Sequence, residues 1–313
     1  MFIISRKSLS NKTAIHFYFI LISLIFILFP LTALADPSET PARPVDSIET
    51  SLVKIPIVIE KTTYQLDAKI YKPQGNGPFP LIVLTHGTSR TLSDNSKDDV
   101  NTYFQHQGTY FASKGYTVLF VLRRGFGNST APYAEDSLPP DERLTHTKYR
   151  KRDYTHAGLE AAKDLSAAIT FAKSLPYIDS RQIVLMGQST GGHSVIATGS
   201  LGIDGVIGVV NFAGGRGSSA PDRVTDEDSL ITSMGVYGDT SRIPTLWLYA
   251  DNDHYFGPEL AHSMFDAYTT HGGQATFIKL PPFGDDGHKS FNGNRKIWAP
   301  YVNDFLQKLF TTN

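Results

Sequence analysis

The stretch Gly187-Gln188-Ser189-Thr190-Gly191 places a serine between two glycines. It lies directly after the apolar run Ile183–Met186 and directly before a helix-like segment, Thr190–Ser200. Glycine on both sides permits a tight, strained turn that lifts the serine hydroxyl to the top of a sheet. This is the nucleophile-elbow spacing, and a strand before it with a helix after it is the context the pattern needs. Without that context the same residues are an ordinary Gly/Ser loop.

A serine of this kind needs a base, and the base needs an orienting carboxylate, in the chain order Ser, Asp/Glu, His. His271 and His288 are the main histidines that follow the later strand-like runs. His271 falls at the end of a helical pattern and reads as a surface cap. His288 follows Gly284-Asp285-Asp286-Gly287, in a loop between the last strand and the last helix, and is the candidate base. The carboxylate belongs after Thr245–Ala250, where Asp251 and Asp253 compete. Asp253 is preferred, because it lies in the turn beyond the strand; Asp251 is expected to cap that turn through its side-chain oxygen. A metal site on Asp251, Asp253 and His254 is the lesser reading, since a hard cation wants more oxygen ligands than this segment offers.

Attack on a carbonyl also creates an oxyanion, which must meet backbone N–H groups already in place. Thr190 follows the serine and supplies one. Thr88, in Thr85-His86-Gly87-Thr88-Ser89 after an early strand, is the candidate for the second. His86 reads as a structural histidine. The chemistry requires no cofactor and no metal.

These residues need elements to carry them. Apolar runs at Val53–Ile59, Tyr64–Tyr71, Leu81–Leu84, Tyr116–Leu122, Ile183–Met186, Val206–Ala213, Thr245–Ala250 and Thr276–Leu280 read as strands. Helical patterns cover Thr102–Lys114, Asp153–Leu175, Thr190–Ser200, Glu259–Thr270 and Arg295–Phe310. Strands alternating with helices predict a mostly parallel sheet with helices on both faces. The first two strands lack an intervening helix and predict an antiparallel edge. Polar stretches at 125–152 and 214–243 each follow a strand, so both should emerge at the C-terminal edge, where open α/β sheets bind ligands. They are the candidate walls of a substrate pocket, and the second is a candidate lid.

The chain has 313 residues, 41% hydrophobic, enough for one large domain. Its 29 Lys+Arg nearly balance 30 Asp+Glu, which gives nucleic acid no electrostatic footing. With no cysteine, disulfides, thiolate metal sites and a cysteine nucleophile are excluded. Arg6, Lys7 and Lys12 precede an apolar run from Ile15 to Leu31 and then Ala33-Leu34-Ala35. This layout predicts a secretory signal peptide over 1–35, cleaved after Ala35; the alternative is an uncleaved anchor. Residues 36–50 are polar and Pro-rich and read as a linker, so the folded domain is expected over 51–313. Removing the signal leaves a mildly acidic chain with no membrane segment. A bacterial source would place it in the periplasm or outside the cell.

Taken together, the motifs resemble the α/β-hydrolase superfamily, and within it the dienelactone-hydrolase-like and related serine esterases. The resemblance covers roughly residues 51–310. It rests on the Gly187–Gly192 motif, on His86-Gly87, on Arg124-Gly125-Phe126-Gly127-Asn128-Ser129, on Asn252-Asp253 and on Gly287-His288. It implies an α/β-hydrolase fold with Ser189 as nucleophile, Asp253 as acid, His288 as base, and Thr88 and Thr190 as oxyanion donors. Dienelactone hydrolases proper use a cysteine nucleophile; this chain has none, so their substrate does not carry over. Arg123 stands where many relatives carry an acidic residue, and its expected role is to pair with a carboxylate such as Asp153 or Glu135. The resulting expectation is a secreted or periplasmic serine hydrolase acting on small-molecule carboxylic esters. The alternatives are a serine peptidase or amidase with the same triad, and an inactive binding protein of this fold.

Overall fold

The computed structural model describes residues 48–90, 96–130, 132, 133, 135 and 151–312. The expected signal peptide lies outside these residues, as does residue 36–47 of the expected linker. The last three linker residues are a correction: the first strand, β1, spans Ile48–Ile59, and pairs in unbroken register with β2, Thr62–Pro73. Backbone pairing extends the strand past the apolar core residues that define it in sequence.

The chain continues through β3 (Phe79–Thr85), α1 (Gln105–Ser113), β4 (Thr117–Val121), α2 (Tyr154–Lys173), β5 (Ile178–Gln188) and α3 (Thr190–Gly199). Then come β6 (Val206–Phe212), the short strands β7 (Ser218–Ala220) and β8 (Arg223–Val224), and α4 (Glu227–Thr240). β9 (Thr245–Ala250), α5 (Pro258–Thr270), β10 (Ala275–Leu280), α6 (Ser290–Gly293) and α7 (Arg295–Thr312) complete it. The main sheet runs β1-β2-β4-β3-β5-β6-β9-β10. Six strands are parallel; β1 and β2 form the antiparallel edge.

Successive side chains of a strand point to opposite faces, and the central strands carry uninterrupted apolar runs such as Leu81–Leu84 of β3 and Ile183–Met186 of β5. Leu81 and Val83 of β3 join one core cluster with residues of α2, α3, α4 and α5. Ile82 and Leu84 join another with α1 and α7. A sheet covered on both sides is what continuous apolar strands require.

The 214–243 stretch differs from its reading as a polar lid. Its second half is α4, whose Leu230, Met234 and Tyr237 are buried in the core. Asp226 caps the helix by accepting from the Ser229 N–H. Only the first half, with the β7–β8 hairpin, stays at the sheet edge.

Because the inner strands run parallel, the segments after β3, β5, β9 and β10 all emerge at one edge. Those four segments carry Thr88, Ser189, Asp253 and His288.

Candidate active site

Ser189 joins β5 to α3 with φ 58° and ψ −125°, in the region that L-residues rarely occupy. Glycine spacing makes this turn possible. A Cβ on Gly187 would sit 2.3 Å from the Gly191 carbonyl oxygen, and one on Gly191 would sit 2.4 Å from the His86 oxygen. Strand, turn and helix thus pass in backbone contact. The Ser189 N–H donates to Phe212 O at 2.9 Å, which anchors the strained residue to β6.

The structure brings Asp253 and His288 together. The imidazole Nδ1 lies 3.0 Å from Asp253 Oδ2, and both side chains are buried. A carboxylate there makes Nδ1 the protonated nitrogen and leaves Nε2 as the basic one. The other carboxylate oxygen, Oδ1, accepts the N–H groups of Tyr255 (2.7 Å) and Phe256 (2.9 Å). Asp253 therefore caps the turn that sequence reading gave to Asp251. Asp251, half-exposed, pairs instead with Lys279 at 2.7 Å.

His288 rides on a short 3-10 turn, Gly287–Lys289, whose cap Asp286 accepts the His288 N–H at 3.0 Å. The His288 carbonyl accepts from Gln188 Nε2 at 2.8 Å, tying the base loop to the residue before the serine. The Tyr255 ring stacks on the imidazole face and the Phe256 ring meets it edge-on. Among the described residues, Ser189 Oγ makes no hydrogen bond to His288.

The two oxyanion candidates are adjacent. Thr88 Oγ1 and Thr190 Oγ1 are hydrogen-bonded at 2.7 Å. Thr190 is the first residue of α3, so its N–H has no acceptor within the helix. Among the described residues the Thr88 N–H also has no acceptor. His86 is structural: Nδ1 bonds Gly87 O at 2.7 Å and Nε2 accepts the Arg123 N–H at 3.1 Å. Burial, then the Arg123 charge, push its pKa well down and keep it neutral.

A buried charge network backs this edge, and the motifs revealed little of it. Arg123 Nε meets Glu135 Oε1 at 2.5 Å, and Arg216 Nη1 meets Oε2 at 2.8 Å. Of the two partners expected for Arg123, Glu135 is the one found; Asp153 caps α2. Arg123 also reaches Thr85 Oγ1, His86 O and, at 3.2 Å, Thr190 Oγ1. Arg216 donates to His193 Nδ1 at 3.0 Å and Ser194 Oγ at 2.9 Å. Burial raises the Glu135 carboxyl, but the Arg123 and Arg216 charges outweigh it and hold the pKa at about 2. Arg124, of the RGxGxS turn, donates its backbone N–H to Asp164 Oδ2 and its Nε–H to Asp164 Oδ1 of α2. Arg216 lies in a Gly/Ser-rich run that reads as flexible, and no spacing linked it to Glu135.

A cavity of about 280 Å³ opens over the serine. Its lining includes Ser189, Thr190, Thr88, Arg90, Arg216 and Tyr255. Among the described residues no His, Asp or Glu cluster could hold a metal ion.

This α/β-hydrolase geometry accords with the comparisons. The model of the dienelactone hydrolase family matches residues 95–302, and the chain belongs to that family. No curated protein matches it. Among solved structures, the Pyrococcus horikoshii acylaminoacyl peptidase superposes with TM-score 0.61 at 18% identity, over 84% of this chain and 42% of the peptidase. The Pyrococcus furiosus esterase gives 0.56 at 16% identity, over 85% of this chain and 93% of the esterase. The chain thus spans less than half the length of the peptidase. At these identities the likeness is one of fold.

Proposed function

We propose that this protein is a serine hydrolase that cleaves carboxylic esters through an acyl-enzyme. The observation that carries the reading is the buried Asp253–His288 pair at the same sheet edge as a strained serine with free backbone donors beside it. In the first step His288 Nε2 takes the Ser189 proton as Oγ bonds to the ester carbonyl carbon. Negative charge moves to the carbonyl oxygen, toward the N–H groups of Thr88 and Thr190. The imidazolium, steadied by Asp253, returns the proton to the departing alkoxide, which leaves as the alcohol. Water then attacks the acyl-enzyme with the same base and releases the acid and the serine.

The test is turnover of short-chain 4-nitrophenyl esters and of aminoacyl anilides, with fluorophosphonate labelling alongside. Ester turnover and labelling that both disappear in Ser189→Ala are the expected result. Anilide turnover alone would replace the esterase reading with a peptidase, and absence of labelling would replace it with a binding protein. We further infer export: the basic start, apolar run and Ala33-Leu34-Ala35 site support cleavage after Ala35. N-terminal sequencing of the protein from its native compartment should begin at Asp36. No helix among the described residues is long and apolar enough to cross a membrane.

A further inference from the structure

The acyl-transfer scheme leaves unused two side chains stacked in line on the base. The Tyr255 ring lies on the His288 imidazole with centroids 3.9 Å apart and planes 10° from parallel. The Arg90 guanidinium carbon lies 3.6 Å from the centroid of the same Tyr255 ring. Two planar groups at that range cannot share one face, so Tyr255 is sandwiched between the guanidinium and the imidazole. Arg90 is further held by Ser218 Oγ, at 3.2 and 3.1 Å, and by His254 O at 3.1 Å. Among the described residues no carboxylate pairs with it.

The stack also joins separate loops. Arg90 lies two residues beyond Thr88, the candidate oxyanion donor. Tyr255 lies two residues beyond Asp253 and donates its N–H to that carboxylate. One contact therefore links the oxyanion loop, the acid loop and the base. A single hydrogen bond to Nδ1 fixes a point on the imidazole but leaves the ring free to pivot about it. A face contact removes that pivot, and a cation on the far side of the phenol keeps the phenol in place through attraction to its π-face.

We propose that Arg90 and Tyr255 are positioning residues that clamp the His288 ring at the angle required for proton transfer. The clamp rests on the serine-hydrolase reading. Arg90 acts through the Tyr255 ring and not on substrate. When His288 becomes an imidazolium during acylation, the π-face of Tyr255 also favours the new charge.

The experiment measures kcat and KM for 4-nitrophenyl acetate, with thermal melts, in wild type, Ser189→Ala, Arg90→Met, Tyr255→Leu, Tyr255→Phe and the Arg90→Met/Tyr255→Leu double variant. Tyr255→Leu is expected to lower kcat about two- to tenfold with little change in KM. Arg90→Met is expected to lower it about two- to fivefold. In the Tyr255→Leu background, Arg90→Met should have almost no further effect, because the ring through which it acts is gone. Tyr255→Phe keeps the ring and should recover most of the Tyr255→Leu loss. Should Tyr255→Leu not fold, surface-exposed Arg90 still gives the comparison of kcat with KM.

An Arg90→Met effect that survives intact in the Tyr255→Leu background, or that falls on KM, means direct substrate contact and overturns the clamp. Ser189-dependent turnover with unchanged kcat in both single variants overturns the clamp alone. Wild-type protein without Ser189-dependent turnover overturns the hydrolase reading and the clamp with it.

Discussion

Ser189 and Asp253 both carry structural roles beside the proposed chemistry, and each yields a prediction. At φ 58° and ψ −125°, Ser189 occupies a conformation costing on the order of 1–3 kcal/mol for a residue with a Cβ. Ser189→Gly removes that strain, while Ser189→Ala keeps it; both lose the hydroxyl. Glycine adds chain entropy to the unfolded state worth about 0.4–1 kcal/mol, which offsets part of the gain. Ser189→Gly should still be more stable than Ser189→Ala by about 1 kcal/mol. Paired thermal melts decide it, and equal midpoints would mean the turn stores no strain. Asp253 uses both oxygens, Oδ2 toward His288 Nδ1 and Oδ1 for the Tyr255 and Phe256 N–H groups. In Asp253→Asn the amide oxygen serves those two backbone donors, which turns the NH2 group toward the imidazole. Nδ1 must then accept, Nε2 carries the proton, and the base is in the wrong tautomer. The turn should survive while kcat falls about 10³–10⁴-fold. A loss below tenfold with an unchanged melting temperature would show that Asp253 does not set the tautomer.

At the scale of elements, the site depends on α3 being held by its neighbours, and α2 holds it closely. A Cβ on Gly158 of α2 would lie 2.2 Å from Tyr237 Oη of α4 and 2.7 Å from His193 Cε1 of α3. Alanine favours an isolated helix over glycine by about 1 kcal/mol, but here the overlap prevails. Tyr237 Oη is fixed by the carbonyls of Tyr154 and Thr155, and His193 by Arg216 and Ser233, so neither can yield cheaply. Gly158→Ala should destabilise the protein by about 1–3 kcal/mol in urea unfolding; a neutral or stabilising change would show that α2 can shift away without loss. Much of this architecture was readable beforehand, and the reason is physical. Parallel strands buried on both faces leave uninterrupted apolar runs, so β9, Thr245–Ala250, appears in the sequence with the bounds it has in the fold. α4 was missed because glycine and charge dilute its surroundings, although Leu230, Met234 and Tyr237 keep helical spacing and Asp226 stands at the cap position. Ser189, Asp253 and His288 were legible because each follows a strand in a fixed order. The Arg123–Glu135 pair was legible as one of two choices, but Arg90, Tyr255 and Arg216 were not, since their partners lie far away in sequence and no spacing encodes the contact.

Across the whole molecule, the Arg123–Glu135–Arg216 network joins the end of β4, the segment after β6, and the helices α3 and α4 through His193 and Ser233. Its electrostatics should therefore appear in global stability. Glu135 sits at about 2 in the folded protein against an ordinary value of 4.5. A carboxylate whose folded pKa is depressed contributes stability that is fully present above its unfolded value and is lost as pH falls toward its folded value. For Glu135 that window runs from about pH 4.5 down to about 2, and the shift corresponds to about 3 kcal/mol. The buried histidines act in a different window. His86 and His193 are held neutral by burial, and secondarily by Arg123 and Arg216 respectively. Their folded pKa values are depressed below 6.5, so the unfolded chain binds protons that the folded chain refuses, and stability declines as pH drops through 6.5. Glu135→Gln separates the two effects. At pH 7 it leaves two buried guanidinium groups without their shared carboxylate, which should cost about 3–5 kcal/mol. Below pH 4.5 the wild type sheds the Glu135 contribution while the variant has none to shed, so the two stability curves should converge. Between pH 7 and 5 the histidine contribution is common to both, and the gap between the curves changes there only through Asp164, raised by burial to about 6 and pushed up further by the Glu135 charge. Urea unfolding from pH 7 to pH 3 measures this, and a constant gap down to pH 3 would mean that Glu135 is not the anion holding the two arginines.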